Sequence, residues 1–534
     1  MMKSAGVGLL LAGLLLAAAG PGDACQEARD LPTRFAEALK KLGSDDFEER
    51  EAATAEISGL PVDAIPLVES TLSQPTLDPE LRTRLDRAIV KLREKKRLAS
   101  ASARTAQDRE WSKRTTRDAY ETAGRKDPRW DEKARETLDL MSVIWSDRRS
   151  TDRDERERAY ALTQELTALG CDDPLILTAH AQMHDNFYTK DLQRSIPLHV
   201  AAARSMKEKG GKYAALQQAL VFAHAALKRP RVTGGLSEDD RKETQEWLDL
   251  AQERFAAAAK EADVPEEALL SCGKLLVRAW TVFGNDRKVG FERVSGALGQ
   301  ARPASTLPLL LKGRVYVDYA WDARGNGFAN TVSPEKAKLM EDRLAEAETA
   351  LLQAWEKRPD DPMVATLMID VELGQGKGRE VMETWYRRAM AADPDNVAAC
   401  RAKMYYLEPK WYGDAKEMLD FGRQLLAGGN WEARLPILLV DAHVKLAGYE
   451  QDRGAYYRDD AVWRDVQAVY AGYLGKHPDS DFDRSRFAKL ACWCGKYDEA
   501  RKQFNQLGDR VVVAAFTSRA QLTQLKAQAE EKGR

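Results

Sequence analysis

The chain has 534 residues, of which 44% are hydrophobic and 31% charged. That is too long for one ordinary core and too apolar for wholesale disorder, so roughly three or four packed units are expected. The 82 Lys and Arg nearly cancel the 84 Asp and Glu, leaving a formal charge of −2. This argues against the net basic footprint of a nucleic-acid binder and against any strong field for steering a charged substrate.

Lys3 precedes an unbroken run of apolar and small residues from Val7 to Ala19. The run is short for about 30 Å of hydrocarbon but has the length of a signal h-region. A signal peptide over residues 1–24 is predicted, cut after Ala19 or after Ala24. Lipidation at Cys25 is the less favoured alternative, because Gly22, followed by Asp23, stands three residues before the cysteine where a branched apolar residue would be preferred. No later stretch approaches about 18 consecutive apolar residues, so an exported, periplasmic or secreted protein with no transmembrane segment in the mature chain is expected. Six cysteines, at 25, 171, 272, 400, 492 and 494, are too few and too scattered for a disulfide framework. Cys492 and Cys494 read as small buried residues of a helix.

Residues 30–98 carry short helical patterns. Phe47, Ala52, Ala53 and Ile57 fall on one face; Pro61 interrupts; Leu81, Leu85, Ala88, Ile89 and Leu92 recur at helical spacing. The strings Leu42-Gly43-Ser44-Asp45-Asp46-Phe47, Arg50-Glu51-Ala52-Ala53, Ala64-Ile65-Pro66-Leu67 and Pro79-Glu80-Leu81-Arg82 resemble a HEAT-like helical repeat, which implies a fold and no chemistry. Residues 99–158 read as a charged helical connector: from Lys91 to Arg158 there are 20 basic and 15 acidic residues, interspersed as on a solvated face.

From residue 159 to 534 the pattern is a long series of helical segments with Gly, Pro and Asp turns and no convincing strand. Helix starts are predicted at Asp173-Pro174, Ser333-Pro334, Asp361-Pro362 and Ser237 with Asp240, where a capping side chain precedes the first turn. The strings Ala354 to Asp360 and Ala389 to Asp395 align at a 35-residue offset, and Tyr473 to Asp479 repeats the pattern. Ala488, Gly495, Tyr497, Ala500 and Phe504 complete a further copy. These residues resemble tetratricopeptide repeats, most clearly over 340–534. The expected fold is therefore all-α: a tetratricopeptide-like solenoid behind a small HEAT-like module. The resemblance implies a concave surface that holds a protein or peptide partner.

Chemical constellations are sparse. His180 and His184 lie one helical turn apart with Asp185 following, but no third metal ligand and no Glu base accompany them; two partly exposed helix histidines are the expected reading. Gly374, Gly376 and Gly378 lack the preceding strand and the Lys-Ser/Thr pair of a phosphate loop, so a turn between helices is expected. Tyr316 to Asn330 runs into a Gly-rich turn bearing Asp322, Arg324 and Asn326, and Met404 to Gly413 packs Tyr405, Tyr406, Trp411 and Tyr412 around Pro409. Both stretches resemble signature segments of an uncharacterised bacterial family with a tetratricopeptide-like domain, over about residues 315–430.

Tyr and Trp suit a binding platform, but these four can equally wedge two helices where Pro409 bends the chain. Asp322 and Arg324 read as a local ion pair or cap, or as part of the groove. No cofactor or metal is called for. The leading expectation is an exported, non-catalytic scaffold or adaptor. The alternative is a cell-envelope hydrolase or metal-dependent enzyme, for which His180, His184 and Asp185, or Asp322 and Arg324, are the only candidates; a structural stabiliser of a larger assembly is a weaker third.

Overall fold

A computed structural model describes residues 23–72, 74, 76–146, 153–187, 191–231, 235–325 and 332–533. The segment expected to be a signal, up to residue 22, and Asn326 lie outside these. Every regular element among the described residues is helical, so the fold is all-α. No helix among them is long and apolar enough to cross a membrane.

The chain divides into two compact units at Arg104. The first holds α1 (Asp23–Leu42), α2 (Phe47–Gly59), α3 (Ile65–Leu72) and the start of α4 (Pro79–Lys113). Phe35, Leu42, Ile57, Val68, Leu85 and Leu92 make its own core. Leu85, Ala88, Ile89 and Leu92 are buried as their spacing predicts. Phe47 is not: it is 61% exposed, with the guanidinium groups of Arg50 and Arg84 5.9 and 5.6 Å from its ring centre. Asp46 caps α2 by accepting from the Glu48 and Glu49 amides, which places Phe47 in the first turn, on the outer side.

The second unit continues with α5 (Ala119–Ala123), α6 (Asp131–Ser146), α7 (Arg153–Ala168), α8 (Pro174–Gln182), α9 (Leu192–Lys209), α10 (Ala215–Lys228), α11 (Glu238–Lys260), α12 (Glu266–Val282), α13 (Arg287–Ala301) and α14 (Leu307–Arg324). Then come α15 (Pro334–Lys357), α16 (Pro362–Gln375), α17 (Arg379–Ala392), α18 (Val397–Tyr406), α19 (Ala415–Gly428), α20 (Ile437–Leu446), α21 (Arg453–Tyr457), α22 (Asp460–Lys476), α23 (Asp481–Trp493), α24 (Tyr497–Leu507) and α25 (Arg519–Lys532). Neighbours pair as hairpins, as in α8/α9, α10/α11, α12/α13, α14/α15 and α16/α17. Alternate helices also touch: α10, α12, α14, α16 and α18 pack in succession, and α11 packs on α13. A helix pair cannot bury its apolar face alone, so each pair is completed by the next, which is the logic of a helical-repeat array.

The repeated strings mark equivalent junctions. Arg358, Asp393 and His477 each follow a helix, stand before a proline and adopt φ between −144 and −126° with ψ between 67 and 94°. Their amides donate to the carbonyls of buried Ala354, Ala389 and Tyr473 at 2.8–2.9 Å. The following proline excludes the helical region for these residues, so it stops each helix at the same place. Arg302 before Pro303, with φ −137° and ψ 64°, is a fourth such junction. All four expected caps form: Asp173, Ser333 and Asp361 accept first-turn amides, and Ser237 with Asp240 closes a capping box.

Part of the segment read as a charged connector belongs to the main core. Trp111, Tyr120, Trp130 and Leu138 are buried in the same cluster as Leu166 and Phe222. The charges between them lie outward in pairs such as Arg135–Glu121, Arg158–Glu136 and Lys133–Glu165. Composition hides this arrangement because a few aromatics, spaced about ten residues apart, supply the buried area. The cysteines 171, 272, 400, 492 and 494 are all buried free thiols; burial pushes those of Cys492 and Cys494 up to about 12.

Candidate partner-binding site

α14 ends where Gly325, at φ 72°, donates its amide to the Trp321 carbonyl. α18 ends at Tyr406, and a tight turn follows. Within that turn the Trp411 amide donates to the Glu408 carbonyl at 2.8 Å and the Tyr412 amide to the Tyr406 carbonyl at 3.2 Å. A Cβ on Gly413 would lie 2.4 Å from the Leu407 carbonyl, so this return admits only glycine. Pro409 therefore sits in a turn beyond the helix and does not kink one.

These two helix ends meet. The Trp321 and Trp411 rings pack edge to face at 5.5 Å, and Tyr405 packs against Trp411 at 5.9 Å. The Arg324 guanidinium lies 5.6 Å from both indole centres. The Lys410 ammonium lies 4.5 Å from the Tyr405 ring and 5.9 Å from Trp411. Two cations thus flank a three-ring cluster drawn from segments some eighty residues apart in sequence. Contacts of this kind are each worth about 0.5–1 kcal/mol at exposed sites and chiefly fix ring orientation. Beneath the cluster, the buried Glu408 carboxylate accepts from Tyr449 Oη at 2.8 Å and pairs with Lys410 and Lys445 at 3.2 and 3.6 Å. Partial burial works against the Lys410 charge, but bonds to Glu408 and Tyr405 hold its ammonium above the usual lysine range.

The four expected aromatics separate into two kinds. Tyr406 is fully buried core, and Trp411 is half-buried against that core. Tyr405 and Tyr412 remain 37% and 45% exposed. The Tyr406 and Tyr412 rings lie 4.7 Å apart, and Arg379 donates to the Tyr412 carbonyl at 3.0 Å and to Glu417 at 2.9 Å. Asp322 and Arg324 do not pair with each other. Asp322 accepts from Arg287 at 2.7 Å, because α13 begins beside the end of α14, while Arg324 turns toward the tryptophans. Trp321 and Lys410, which complete the cluster, stand inside the two stretches that the sequence marks; Tyr449 lies on a later turn and carries no sequence signal.

Gly376 and Gly378 lie in the turn between α16 and α17, as expected, whereas Gly374 belongs to the last turn of α16. The buried Glu372 carboxylate accepts the Gly378 amide at 2.7 Å. His180 and His184 are buried, at 7% and 3% exposure, which corrects the expectation of partly exposed helix residues: α8 is covered on all sides by α6, α7, α9 and α10. Their rings lie 5.0 Å apart, but the Asp185 carboxylate turns to His199 and Lys228 at 2.9 and 2.8 Å. The three therefore do not form one constellation. Among the described residues no three His, Cys, Asp or Glu side chains group to hold a metal ion.

The paired, alternately stacked helices define an all-α helical-repeat protein with an aromatic and cationic surface cluster. No protein-family model matches the chain, and no curated protein matches it. Among solved structures, a monomeric mutant of IFIT1 with Gppp-AAAA is similar over 90% of this chain and 95% of that one, at 12% identity and a TM-score of 0.30.

Proposed function

We propose that the protein is an exported scaffold or adaptor, a tetratricopeptide-like array behind a HEAT-like module, that binds a protein or peptide partner through the surface centred on Tyr405 and Trp411. The meeting of Trp321, Arg324, Tyr405, Lys410 and Trp411 carries this reading. A packing wedge needs no cations over its outer rings, whereas Tyr, Trp and Arg together, partly exposed and held rigid from below, are the composition of an interaction hot spot. The near-neutral charge of the chain favours a protein over a nucleic acid.

The test is affinity capture from cell-envelope extract with wild-type protein and with Tyr405→Ala/Trp411→Ala. A partner retained by the wild type and lost from a variant of unchanged far-UV circular dichroism supports the reading. Equal recovery by both proteins would overturn it, and a shift of single-stranded oligonucleotide by the wild type alone would replace the protein partner with a nucleic acid.

A further inference from the structure

Four of the six histidines of the chain converge on the turn after α8, where residues Met183–Phe187 form a π-helical turn. Such turns interrupt regular helix hydrogen bonding and are often retained for a role. His180 and His184 come from α8 and this turn, His199 from α9 and His224 from α10. The last two stack at 5.5 Å and 11°.

The hydrogen bonds fix where the protons are. The Thr167 hydroxyl donates to the Thr163 carbonyl, so its 2.8 Å contact with His180 Nδ1 must be received from the imidazole. His180 Nε2 is then a bare lone pair, buried and without a donor among the described residues. Trp145 Nε1 donates to Gln182 Oε1 at 2.6 Å, which turns the Gln182 amide nitrogen toward His224 Nε2 at 3.2 Å; His224 Nε2 accepts. Burial opposes the Asp185 charge, but bonds from His199, Lys228 and Ser195 hold this carboxyl well below its usual range. His199 Nε2 therefore donates to Asp185 at 2.9 Å, and His199 Nδ1 is buried with no partner among the described residues.

We propose that His180, His184 and His224, packed with His199, form an acid-operated latch, which holds the α8–α9 hairpin closed while these three rings are neutral and releases it when they take up protons. A proton on His180 Nε2 would find no acceptor among the described residues. One on His224 Nε2 would face the Gln182 donor, beside stacked His199 and within the field of Lys228. The groups around the cluster are Tyr160 and Thr167 on α7, Gln182 on α8, Asp185 on the π-helical turn, Asp191 and Arg194 at the start of α9, and Lys228 on α10. Asp185 is the one buried anion among them, and it is already shared by His199 and Lys228.

The sign follows from linkage. Burial, with the neighbouring His184, lowers His180 from 6.5 to about 4, and burial, with His199, lowers His224 to about 3. The opened segment therefore binds more protons than the closed one as pH falls below 6.5, and closure weakens across that window. The same helices form one wall of a groove of about 550 Å³ floored by Leu177, Ile196, Pro197 and Val200, so release would loosen that groove.

Hydrogen exchange on the full chain at about pH 7.5 and about pH 5, corrected for intrinsic rates, tests the latch. Residues 174–199 should exchange at least about tenfold faster at the lower pH, while the histidine-free α12–α13 hairpin is unchanged. In His180→Gln/His224→Gln, which keeps hydrogen-bonding capacity without titration, the acid effect should fall below about threefold. No local acceleration in the wild type, or an equal one in the variant, would overturn the proposal. Should the variant fail to fold at neutral pH, histidine C2 exchange on the wild type decides: midpoints for His180 and His224 below about 5 support the latch, and midpoints near 6.5 refute it.

Discussion

Asp483 accepts both terminal nitrogens of the Arg434 guanidinium at 2.8 Å, and Arg434 is the one non-glycine residue with a left-handed backbone among those described, at φ 59°. The carboxylate is only 2% exposed and also accepts from Ser480 Oγ at 2.8 Å. The guanidinium, in turn, lies 4.6 Å from the Tyr473 ring. The pair joins the turn before α20 to the start of α23 and holds a backbone conformation that costs about 1–3 kcal/mol. Asp483→Ala should destabilise the fold by about 3–5 kcal/mol, because it strands a partly buried cation. Urea denaturation followed by tryptophan fluorescence measures this; a loss under about 1 kcal/mol would contradict it.

Gly376 ends α16 at φ 65°, and a Cβ there would lie 2.7 Å from Tyr412 Oη. Gly376→Ala therefore meets two costs, a left-handed backbone at about 1–2 kcal/mol and displacement of an exposed ring. We expect a lower thermal midpoint together with weaker partner capture. Weakened capture without a change in midpoint would show that the ring moves freely and the backbone term is absent.

Lys489 sits on α23, where its ammonium donates to the Ala515 carbonyl. Burial, aided by the nearby Arg486 charge, lowers it from 10.5 to about 8. The folded state then binds fewer protons than the unfolded state between those values, so stability rises with pH across that window. With the side chain partly solvated, a gain of about 1–2 kcal/mol is expected between about pH 7 and pH 9.5. Lys489→Met should flatten the profile. An equal rise in the variant would assign the effect to other groups.

Much of the architecture can be read from local chemistry. The caps at Asp173, Ser237, Ser333 and Asp361, and the pre-proline stops at Arg358, Asp393 and His477, are decided within a few residues, and pattern reading reaches them. The same holds for Tyr405 to Tyr412 as a segment of interest. What lay beyond reach depends on contacts between distant residues. His199 and His224 join His180 only because α9 and α10 pack on α8. Arg287 takes Asp322 from Arg324 only because two helix ends adjoin. Phe47 fits an apolar stripe on paper, yet it stands at a first turn where the cap, not the stripe, sets its direction.

The equivalence of the pre-proline junctions makes the array editable in whole units. Excising residues 359–393, a span of 35, would join Arg358 to Pro394 and restore the same carbonyl acceptor, the same extended residue and the same proline stop. Growth or shrinkage of the chain by helix pairs thus demands no new turn chemistry. The length of such a protein can drift over generations by duplication and loss while each surviving joint remains intact.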